Sequence, residues 1–386
     1  MANIAISEIQ TTATSLNDGD YFLISKLNGN NSSSYISAKI KGSTLKNELS
    51  VYGGVRFVES GNVIVYISPT GNDDNLQMQF EKYGTDEQIN YPLYTINAAV
   101  AFLSRFRKIY TADNIGVNYK ILCENGTYTY TEQQILSHPD CGYHGNYISV
   151  APRNFSDTDR VTFIFENTSY EAFMLCMCNV SFYYLKITES TTNFSKIAFI
   201  SYSNDLRLSG CEVYNMRSVV NTYTASGTIT ITSYEKKSNY TLDTIETNTY
   251  PSYFHDIGDI ALIVTRFTYL NMEGFLKFEN CKSIVSVYYT SFMKIGSQDI
   301  VTRIDIGGKQ KQKILFAQND FSNIVFYSNR AEKFELNYWN SDTDNQYNNK
   351  NELFQVTPNE TAYNSRGRLE IGSPLDDCFH IVNKFA

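Results

Sequence analysis

Short runs of β-branched and aromatic residues, separated by small polar turns, follow one another along most of the chain. In SGTITITSYE (226–235), Ile229 and Ile231 alternate with Thr, and NVIVYIS (62–68) has the same alternating texture. A period of two residues predicts strands with one buried face. The pattern therefore favours a protein built mainly of short strands.

One segment carries helical spacing instead. PLYTINAAVAFLSRFRK (92–108) places five apolar residues, from Leu93 to Phe106, on one face. This spacing predicts an amphipathic helix over 93–107. Its last turn would hold Arg105, Arg107 and Lys108, where positive charges suit the helix dipole.

Three stretches share an arrangement of strand, small polar turn and second strand. They are LRLSGCEVYNM (206–216), GFLKFENCKSIVSVYY (274–289) and KILFAQNDFSNIVFYS (313–328). A loose repeat of about 20–30 residues is typical of solenoids, whose coils bury their inner faces by stacking. We therefore expect an all-β protein, a right-handed parallel β-helix. The 93–107 helix would cap its first coil, because an open sheet edge must be covered.

The pattern divides the chain into four segments. Residues 1–50 hold two predicted strands, an Asn/Ser turn and a helix start, with too few apolar residues for a stable core of their own. Residues 51–60 form a linker, and 61–339 form the β-helix. The polar segment 340–386 is interpreted as a C-terminal cap or oligomerisation segment, since the last coil also needs covering.

Composition and charge narrow the classes of function. The chain of 386 residues has a net charge of −8, which argues against a nucleic-acid binder, because phosphate contact needs a basic field. No apolar run approaches the length of a membrane span, so we expect no membrane insertion. The start, MANIAISEIQTT, lacks the features of a signal peptide. We interpret the seven Cys as small buried residues of a protein made in a reducing cytosol.

An ordered set of motifs resembles a known family. VYISPTGNDDN (65–75), PLYTINAAVAFL (92–103), VNYKILCENGTYTYTE (117–132) and HPDCGYHGNYISV (138–150) resemble the opening of pectate-lyase-like β-helix domains in bacteriophage fibres and tailspikes. Cys141 departs from the family's usual H-P-D-G turn. Residues 6–49 are similar to the short N-terminal unit of many phage fibre proteins, and the Asn-, Tyr- and Lys-rich composition resembles fibres of crAss-like gut phages.

The resemblance implies a structural component of a bacteriophage virion, made in the cytoplasm of the bacterial host. Such a fibre or spike protein would be a homotrimer. It would attach to other virion proteins through residues 1–50 and display its β-helix to host surface polysaccharide. Two alternatives stay open: a polysaccharide depolymerase, either glycoside hydrolase or lyase, on the same scaffold, and a head or tail decoration protein without a receptor role. Fold alone does not choose among them.

Aromatic residues are the candidates for glycan contact, because their faces suit sugar rings. The candidate stacking residues are Tyr183, Tyr184, Tyr288, Tyr289 and Trp339. Successive strand residues face opposite sides, so one Tyr of each doublet should point outward. Packing on the sheet surface or at a subunit interface is the competing interpretation.

No catalytic motif stands out, and no cofactor or metal is expected. His138, Asp140, Cys141 and His144 lie within seven residues and could seat zinc, but the stretch also matches the family turn, and we interpret it as turn structure. Glycoside hydrolysis needs two carboxylates about 5–10 Å apart. The acids considered for such pairs, which are otherwise interpreted as solvated turn residues, are Asp205, Glu212, Asp256, Asp259, Glu273 and Glu279.

Overall fold

The computed structural model describes residues 21–28, 31–41, 56–58, 61–108, 117–142, 146–166, 169–191, 193–202, 205–222, 227–287, 291–296, 300–307, 316–318, 323–326, 334–338, 354–356, 368–371 and 380–383. The chain forms two compact units. One comprises Met1–Gly61 and Ser104–Val117, and the other comprises Asn62–Leu103 and Asn118–Ala386.

Short strands make up most of the regular structure, and the helices are few in the ranges described. The first strands are β1 (Tyr21–Asn28), β2 (Asn31–Lys41), β3 (Arg56–Val58), β4 (Gly61–Ile67), β5 (Phe106–Lys108), β6 (Val117–Cys123), β7 (Thr127–Tyr130), β8 (Gln134–Leu136), β9 (Ile148–Pro152), β10 (Thr162–Phe165) and β11 (Ala172–Cys176). The middle strands are β12 (Val180–Tyr183), β13 (Lys186–Glu189), β14 (Ile197–Ser201), β15 (Asp205–Ser209), β16 (Glu212–Tyr214), β17 (Ser218–Thr222), β18 (Thr228–Thr232), β19 (Tyr234–Glu235), β20 (Thr249–Tyr250) and β21 (Ser252–Val264). The last strands are β22 (Tyr269–Met272), β23 (Phe275–Val287), β24 (Phe292–Ile295), β25 (Thr302–Gly307), β26 (Phe316–Gln318), β27 (Asn323–Phe326), β28 (Phe334–Tyr338), β29 (Phe354–Val356), β30 (Arg368–Ile371) and β31 (His380–Asn383). The α-helices are α1 (Leu76–Glu81), α2 (Ile96–Leu103) and α3 (Ile245–Asn248), and 3₁₀ turns span Asp73–Asn75, Asp86–Asn90 and Leu242–Thr244.

Parallel pairing winds the larger unit into a coil with three ladders of strands. Face 1 runs through β4, β6, β9, β12, β15, β18, β22, β24, β27 and β30. Face 2 runs through β7, β10, β13, β16, β21, β23, β25, β28 and β31. Face 3 runs through β8, β11, β14 and β17, shares β21 and β23, and continues through β26 and β29. The predicted all-β parallel β-helix is therefore confirmed.

Inward side chains stack on one another from coil to coil. On face 1, Phe182 pairs with Val150 on one side and Leu208 on the other, and all three are fully buried. On face 2, Phe254 pairs with Phe278 in the same way. Burying each such side chain contributes roughly 1.5–3 kcal/mol, so the repeated apolar position accounts for the stacking of the coils.

Tight corners between face 1 and face 2 depend on residues in the left-handed region. Gly210 has φ 62° and Gly274 has φ 77°, but Tyr184 occupies a corner with φ 54°. A residue with a Cβ atom pays roughly 1–2 kcal/mol for this conformation. At Gly210 an added Cβ would also lie 2.6 Å from the Cβ of Tyr234. The corner of Gly210 therefore leaves no room for a side chain.

Corners between face 2 and face 3 carry amide or carboxylate residues in the same conformation. Asn215, Asp256 and Asn280 have φ values of 54°, 52° and 53°. Each follows one of three residues that pair across neighbouring strands, Tyr214, His255 and Glu279. Asn and Asp tolerate this region better than other residues because their short side chains hydrogen-bond locally. The direction of the long strands β21 and β23 thus changes at matched positions.

Three different devices cover the edge of the first coil. On face 1, β4 pairs directly with β6. On face 2, the Tyr94 hydroxyl donates to the Thr129 carbonyl at 2.7 Å and accepts from the Thr129 N–H at 3.1 Å. On face 3, the Asn97 amide donates to the Gln133 carbonyl at 3.0 Å and accepts from the Ile135 N–H at 2.7 Å. Two side chains of the capping segment therefore take the place of a neighbouring strand, which answers the need to cover an edge.

The polar turn before the capping helix positions its first residues. One Asp73 oxygen accepts the N–H groups of Tyr94 and Thr95 at 2.8 and 3.0 Å, and the other accepts the Thr95 hydroxyl at 2.8 Å. Thr95 in turn accepts the Ala98 N–H at 3.0 Å, as an N-cap residue does. The turn also needs Gly71, because a Cβ there would lie 2.1 Å from the Leu93 carbonyl oxygen.

The capping helix ends earlier than the sequence predicts. Helix α2 stops at Leu103, and Phe106–Lys108 form β5, which pairs in parallel with β3. Arg105, Arg107 and Lys108 therefore lie beyond the helix, and their predicted place in its last turn is wrong. The physical reason is that Phe106 and Lys108 are both buried, which is the alternation of a strand.

Strands continue into the segment interpreted as a C-terminal cap. β29, β30 and β31 extend the ladders of β26, β27 and β28. In the other unit, β1 and β2 pair as an antiparallel hairpin, with Tyr21 opposite Lys41. Across the described ranges, no helix has both the length and the apolar character needed to cross a membrane.

Candidate functional site

Two long loops meet over the tight corners of the coils between them. Residues 153–161 connect β9 to β10, and residues 233–251 connect β18 to β21. The two intervening coils turn the same corner with single residues, Tyr184 and Gly210. Because the intervening corners are short, the two loops can reach across them and contact each other.

Their aromatic side chains form a cluster that we call the aromatic platform: Phe155, Tyr183, Tyr184, Tyr234 and Tyr250. Phe155 and Tyr234 stack with centroids 4.8 Å apart and planes 11° apart. Tyr184 lies 4.1 Å from Tyr250, and Tyr183 meets Tyr234 edge-on at 6.3 Å. Aromatic pairs of this kind contribute roughly 0.5–1.5 kcal/mol each beyond area burial. The cluster thus holds the two loops together.

Exposure divides the platform into a floor and an outer surface. Tyr184 is only 2% exposed and forms the floor, whereas Phe155 is 46% exposed. Tyr183 is half-buried. The ring of Tyr184 is therefore inaccessible from outside, and the most exposed aromatic ring of the platform is that of Phe155. Tyr288, Tyr289 and Trp339 lie outside the described residues.

A carboxylate and an ammonium group stand at the rim of the platform. The hydroxyls of Tyr250 and Tyr184 both donate to the same oxygen of Asp157. The Lys236 ammonium lies 4.0 Å from the other Asp157 oxygen and 3.9 Å above the Tyr250 ring. The hydrogen bond from Tyr250 and the charge of Lys236 lower the pKa of Asp157. The rim therefore presents an ionised acceptor beside a donor, next to an exposed aromatic face.

Arg160 anchors the platform to the β-helix. Its guanidinium lies 4.0 Å from the centre of the Tyr184 ring. One terminal nitrogen donates to a Glu212 carboxylate oxygen at 3.0 Å, and the other donates to the Gly210 carbonyl at 2.8 Å. Cation–π contact of this kind is worth about 2 kcal/mol or more when desolvated. Arg160 thus links the loop 153–161 to two later coils.

Glu212 continues the network along the outside of face 2. Its Oε2 atom also lies 3.2 Å from Lys186 Nζ, and its Oε1 atom lies 3.5 Å from His255 Nε2. His255 Nδ1 lies 2.8 Å from an oxygen of Asp256. Burial disfavours the charged form of both Glu212 and His255. The hydrogen bond between them and the surrounding opposite charges nevertheless lower the pKa of Glu212 and raise the pKa of His255.

The structure gives most of the candidate catalytic acids a partner of their own. Asp205 accepts the Tyr147 hydroxyl, Glu279 accepts the Tyr253 hydroxyl, and Asp259 lies 3.9 Å from Lys282. Glu273 follows the face 1 strand β22, whereas Glu279 lies on β23, so this pair is not brought onto one ladder. Asp205 and Glu212 likewise lie on different ladders. The arrangement explains these acids through hydrogen bonds and ion pairs.

The His–Pro–Asp–Cys turn ties the first coil to the capping helix. His138 Nδ1 accepts the Asp140 N–H at 3.2 Å, so Nε2 carries the proton and donates to the Leu103 carbonyl at 3.0 Å. The Tyr119 hydroxyl donates to Asp140 at 2.6 Å. Cys141 is fully buried, and His144 is outside the described residues. In the part of the chain that the structure describes, no three His, Cys, Asp or Glu side chains are arranged to hold a metal ion.

Sequence reasoning missed most of the platform. Phe155 lies in PRNFSDTDR (152–160), and Tyr234 and Tyr250 lie at the two ends of the loop 233–251. A single exposed aromatic residue inside a Ser/Asp-rich turn was the available signal, but its partner is 79 residues away. Only the stacking of the coils shows that these residues meet.

The comparisons with known proteins leave the function open. No protein-family model matches the chain, and no curated protein matches it. A solved structure, the pectin methylesterase from Aspergillus niger in penultimately deglycosylated form, is similar at 10% identity and a TM-score of 0.24. The alignment covers 70% of this chain and 77% of that chain. A likeness at this level carries no argument about activity.

Proposed function

We propose that this chain is a structural component of a bacteriophage virion, a fibre or spike protein that binds host surface glycans through the aromatic platform. The resemblance of residues 65–150 to phage β-helix domains supports the virion part of the proposal. The observation that carries the glycan part is the exposed Phe155 face beside Asp157 and Lys236. Apolar sugar faces stack on aromatic rings, and sugar hydroxyls pair with carboxylates and ammonium groups.

A glycan array tests the platform directly. Wild type and Phe155→Ala are applied to immobilised bacterial capsular and O-antigen polysaccharides. Stacking on aromatic groups is worth roughly 0.5–1.5 kcal/mol, so removing the Phe155 ring should weaken binding by about two- to tenfold. The matched control is Phe267→Ala, because Phe267 is also exposed but lies in the connection between β21 and β22.

The control fixes how the array result is interpreted. Equal losses in Phe155→Ala and Phe267→Ala, or a loss in neither, would count against the platform as the binding surface. A reducing-end assay on the same polysaccharides separates a binder from a depolymerase. Product release would favour the enzymatic alternative, and its absence on every polysaccharide bound would favour adhesion.

Exposed apolar side chains on face 3 support the homotrimer. Ile135 and Met177 are 44% and 49% exposed, beside the half-buried Leu175. Contiguous exposed apolar residues mark protein interfaces, and a second copy of this chain is the occupant that the family resemblance favours. Light scattering should give a trimer mass for wild type and Phe155→Ala but a smaller mass for Met177→Glu. A monomeric wild type would contradict this part of the proposal.

The virion location is tested by labelling. Antibodies against the β-helix should mark a distal, outward position on intact particles, and deleting residues 1–50 should abolish incorporation. Labelling of the head or tail surface without a distal position would favour the decoration protein. The proposed localisation is the virion, with synthesis in the cytoplasm of the bacterial host.

A further inference from the structure

The His255 ring sits between two carboxylates. Nε2 faces Glu212 at 3.5 Å and Nδ1 faces Asp256 at 2.8 Å. A neutral imidazole has one N–H donor and one acceptor nitrogen, whereas the imidazolium has two donors. Both contacts can therefore be hydrogen bonds only when His255 is protonated. Loss of the proton turns one of them into a contact between two acceptors.

Groups from every neighbouring element act on this ring. Tyr214 stacks on it at 4.9 Å and 3°, and Tyr253 stacks on it at 4.4 Å and 28°. The charged, polar and titratable groups around it are Glu212 and Tyr214 from β16, Tyr253 and Asp256 from β21, Lys277, Glu279 and Asn280 from β23, Lys186 from β13, and Arg160 from the loop 153–161. The carboxylates that contact the ring directly favour its protonated form.

The same Glu212 carboxylate connects His255 to the platform. Its Oε1 atom faces His255, and its Oε2 atom accepts from Arg160 at 3.0 Å. Arg160 lies under Tyr184, the buried floor of the platform. A continuous chain of contacts thus runs from Asp256 to the loop that carries Phe155.

We infer that the proton on His255 regulates how firmly the loop 153–161 is held at the aromatic platform. The inference rests on the proposed function for its consequence in glycan binding. Protonated, His255 holds the Glu212 carboxylate in place for Arg160. Once neutral, His255 keeps one N–H, which serves the closer Asp256, so Nε2 becomes an acceptor that faces Glu212 and leaves its carboxylate held only by Lys186 and Arg160. Both ring nitrogens are engaged, so His255 acts as a positioning residue rather than an acid or base on a substrate.

The direction of the pH effect follows from the pKa. Burial opposes protonation, but the hydrogen bonds to Glu212 and Asp256 raise the pKa of His255 above its usual value near 6.5. A group with a raised pKa stabilises the folded state fully below its unfolded pKa and loses that effect as pH rises through its folded value. The loop should therefore be tightest at mildly acidic pH and loosen above neutrality.

The deciding experiment needs no ligand. Hydrogen–deuterium exchange of the backbone of 153–161 is measured at pH 6.0 and 8.5 in wild type and His255→Gln, which carries no titrating ring. Because intrinsic exchange changes equally in both proteins at a given pH, the ratio between them isolates His255. Wild type should be several-fold better protected than His255→Gln at pH 6.0, and the ratio should fall towards one at pH 8.5. An unchanged ratio overturns the inference.

Two further measurements keep the outcomes distinct. Lys282→Gln, on the β23 strand that pairs with the β21 strand of His255 but in contact with Asp259, should follow wild type. Should His255→Gln fail to fold, Asp256→Asn removes one carboxylate partner and should reduce the pH dependence of protection. The same array of bacterial polysaccharides is then read at both pH values. If no polysaccharide binds, the proposed function fails, while the exchange ratio still decides whether His255 controls the loop. If the exchange ratio changes with pH but polysaccharide affinity does not, the proposed regulation of binding is overturned.

Discussion

Tyr94→Phe removes one oxygen atom from the device that covers face 2. The Tyr94 hydroxyl makes two hydrogen bonds to the backbone of Thr129, at 2.7 and 3.1 Å. Its ring contacts Tyr128 and Tyr130, and the ring remains in Phe. Each hydrogen bond contributes roughly 1 kcal/mol net. We therefore expect the free energy of unfolding to fall by about 2 kcal/mol.

The measurement combines urea unfolding with hydrogen exchange at a single amide. The Thr129 N–H loses its partner in Tyr94→Phe, so its protection should fall by about tenfold or more, since 1.4 kcal/mol corresponds to a factor of ten. Tyr66→Phe is the control, because the Tyr66 hydroxyl has no hydrogen-bond partner among the described residues and its ring is half-buried. If the two variants differ by less than about 0.5 kcal/mol, a scatter normal for surface substitutions, the hydroxyl does not cover the edge of β7.

Two other predictions concern the turn before the capping helix and the buried thiols. Gly71→Ala should destabilise the protein by about 1–3 kcal/mol, because its Cβ would lie 2.1 Å from the Leu93 oxygen. Gly142→Ala is the control, because a Cβ there has open space, and equal denaturation midpoints of the two variants would contradict the steric argument. The six described Cys are all buried and free, and burial raises the pKa of thiols such as Cys176 and Cys211. Iodoacetamide should therefore modify these six thiols only after unfolding, which mass spectrometry of native and urea-treated protein would show. Rapid labelling of the same thiols in the native protein would refute the prediction.

The sequence predicts the fold best where the same inward position repeats from coil to coil. Residues such as Phe182, Leu208 and Ile231 pair from coil to coil, and their alternation with polar neighbours is visible along the chain. The turn around Asp73 is likewise local, because its partners Tyr94 and Thr95 begin the helix that the periodicity predicts. The fold class and the capping helix could therefore be predicted.

The remaining features depend on which coils lie above one another. Phe106 satisfies both a helical and a strand period, so the end of the helix is ambiguous until the burial of Lys108 is known. The sequence makes Tyr184 a candidate surface aromatic residue, but its corner lies beneath two loops that only the winding of the coils brings together. The meeting of Phe155 with Tyr234, and of His255 with Glu212, is set by coil register, which the lengths of the intervening loops do not reveal.

The corner occupied by residues 233–251 has a consequence for how the outer surface of the β-helix can change. In the neighbouring coils the same corner is made by single glycines, Gly210 and Gly274. An insert at this position supplies Tyr234 and Tyr250 of the platform and Lys236 at its rim, while the inward residues on either side keep their register. Loops of other lengths and compositions could therefore be exchanged at this corner without altering the stack of coils. The β-helix thus separates the part of the chain that must be kept for folding from a part that is free to vary.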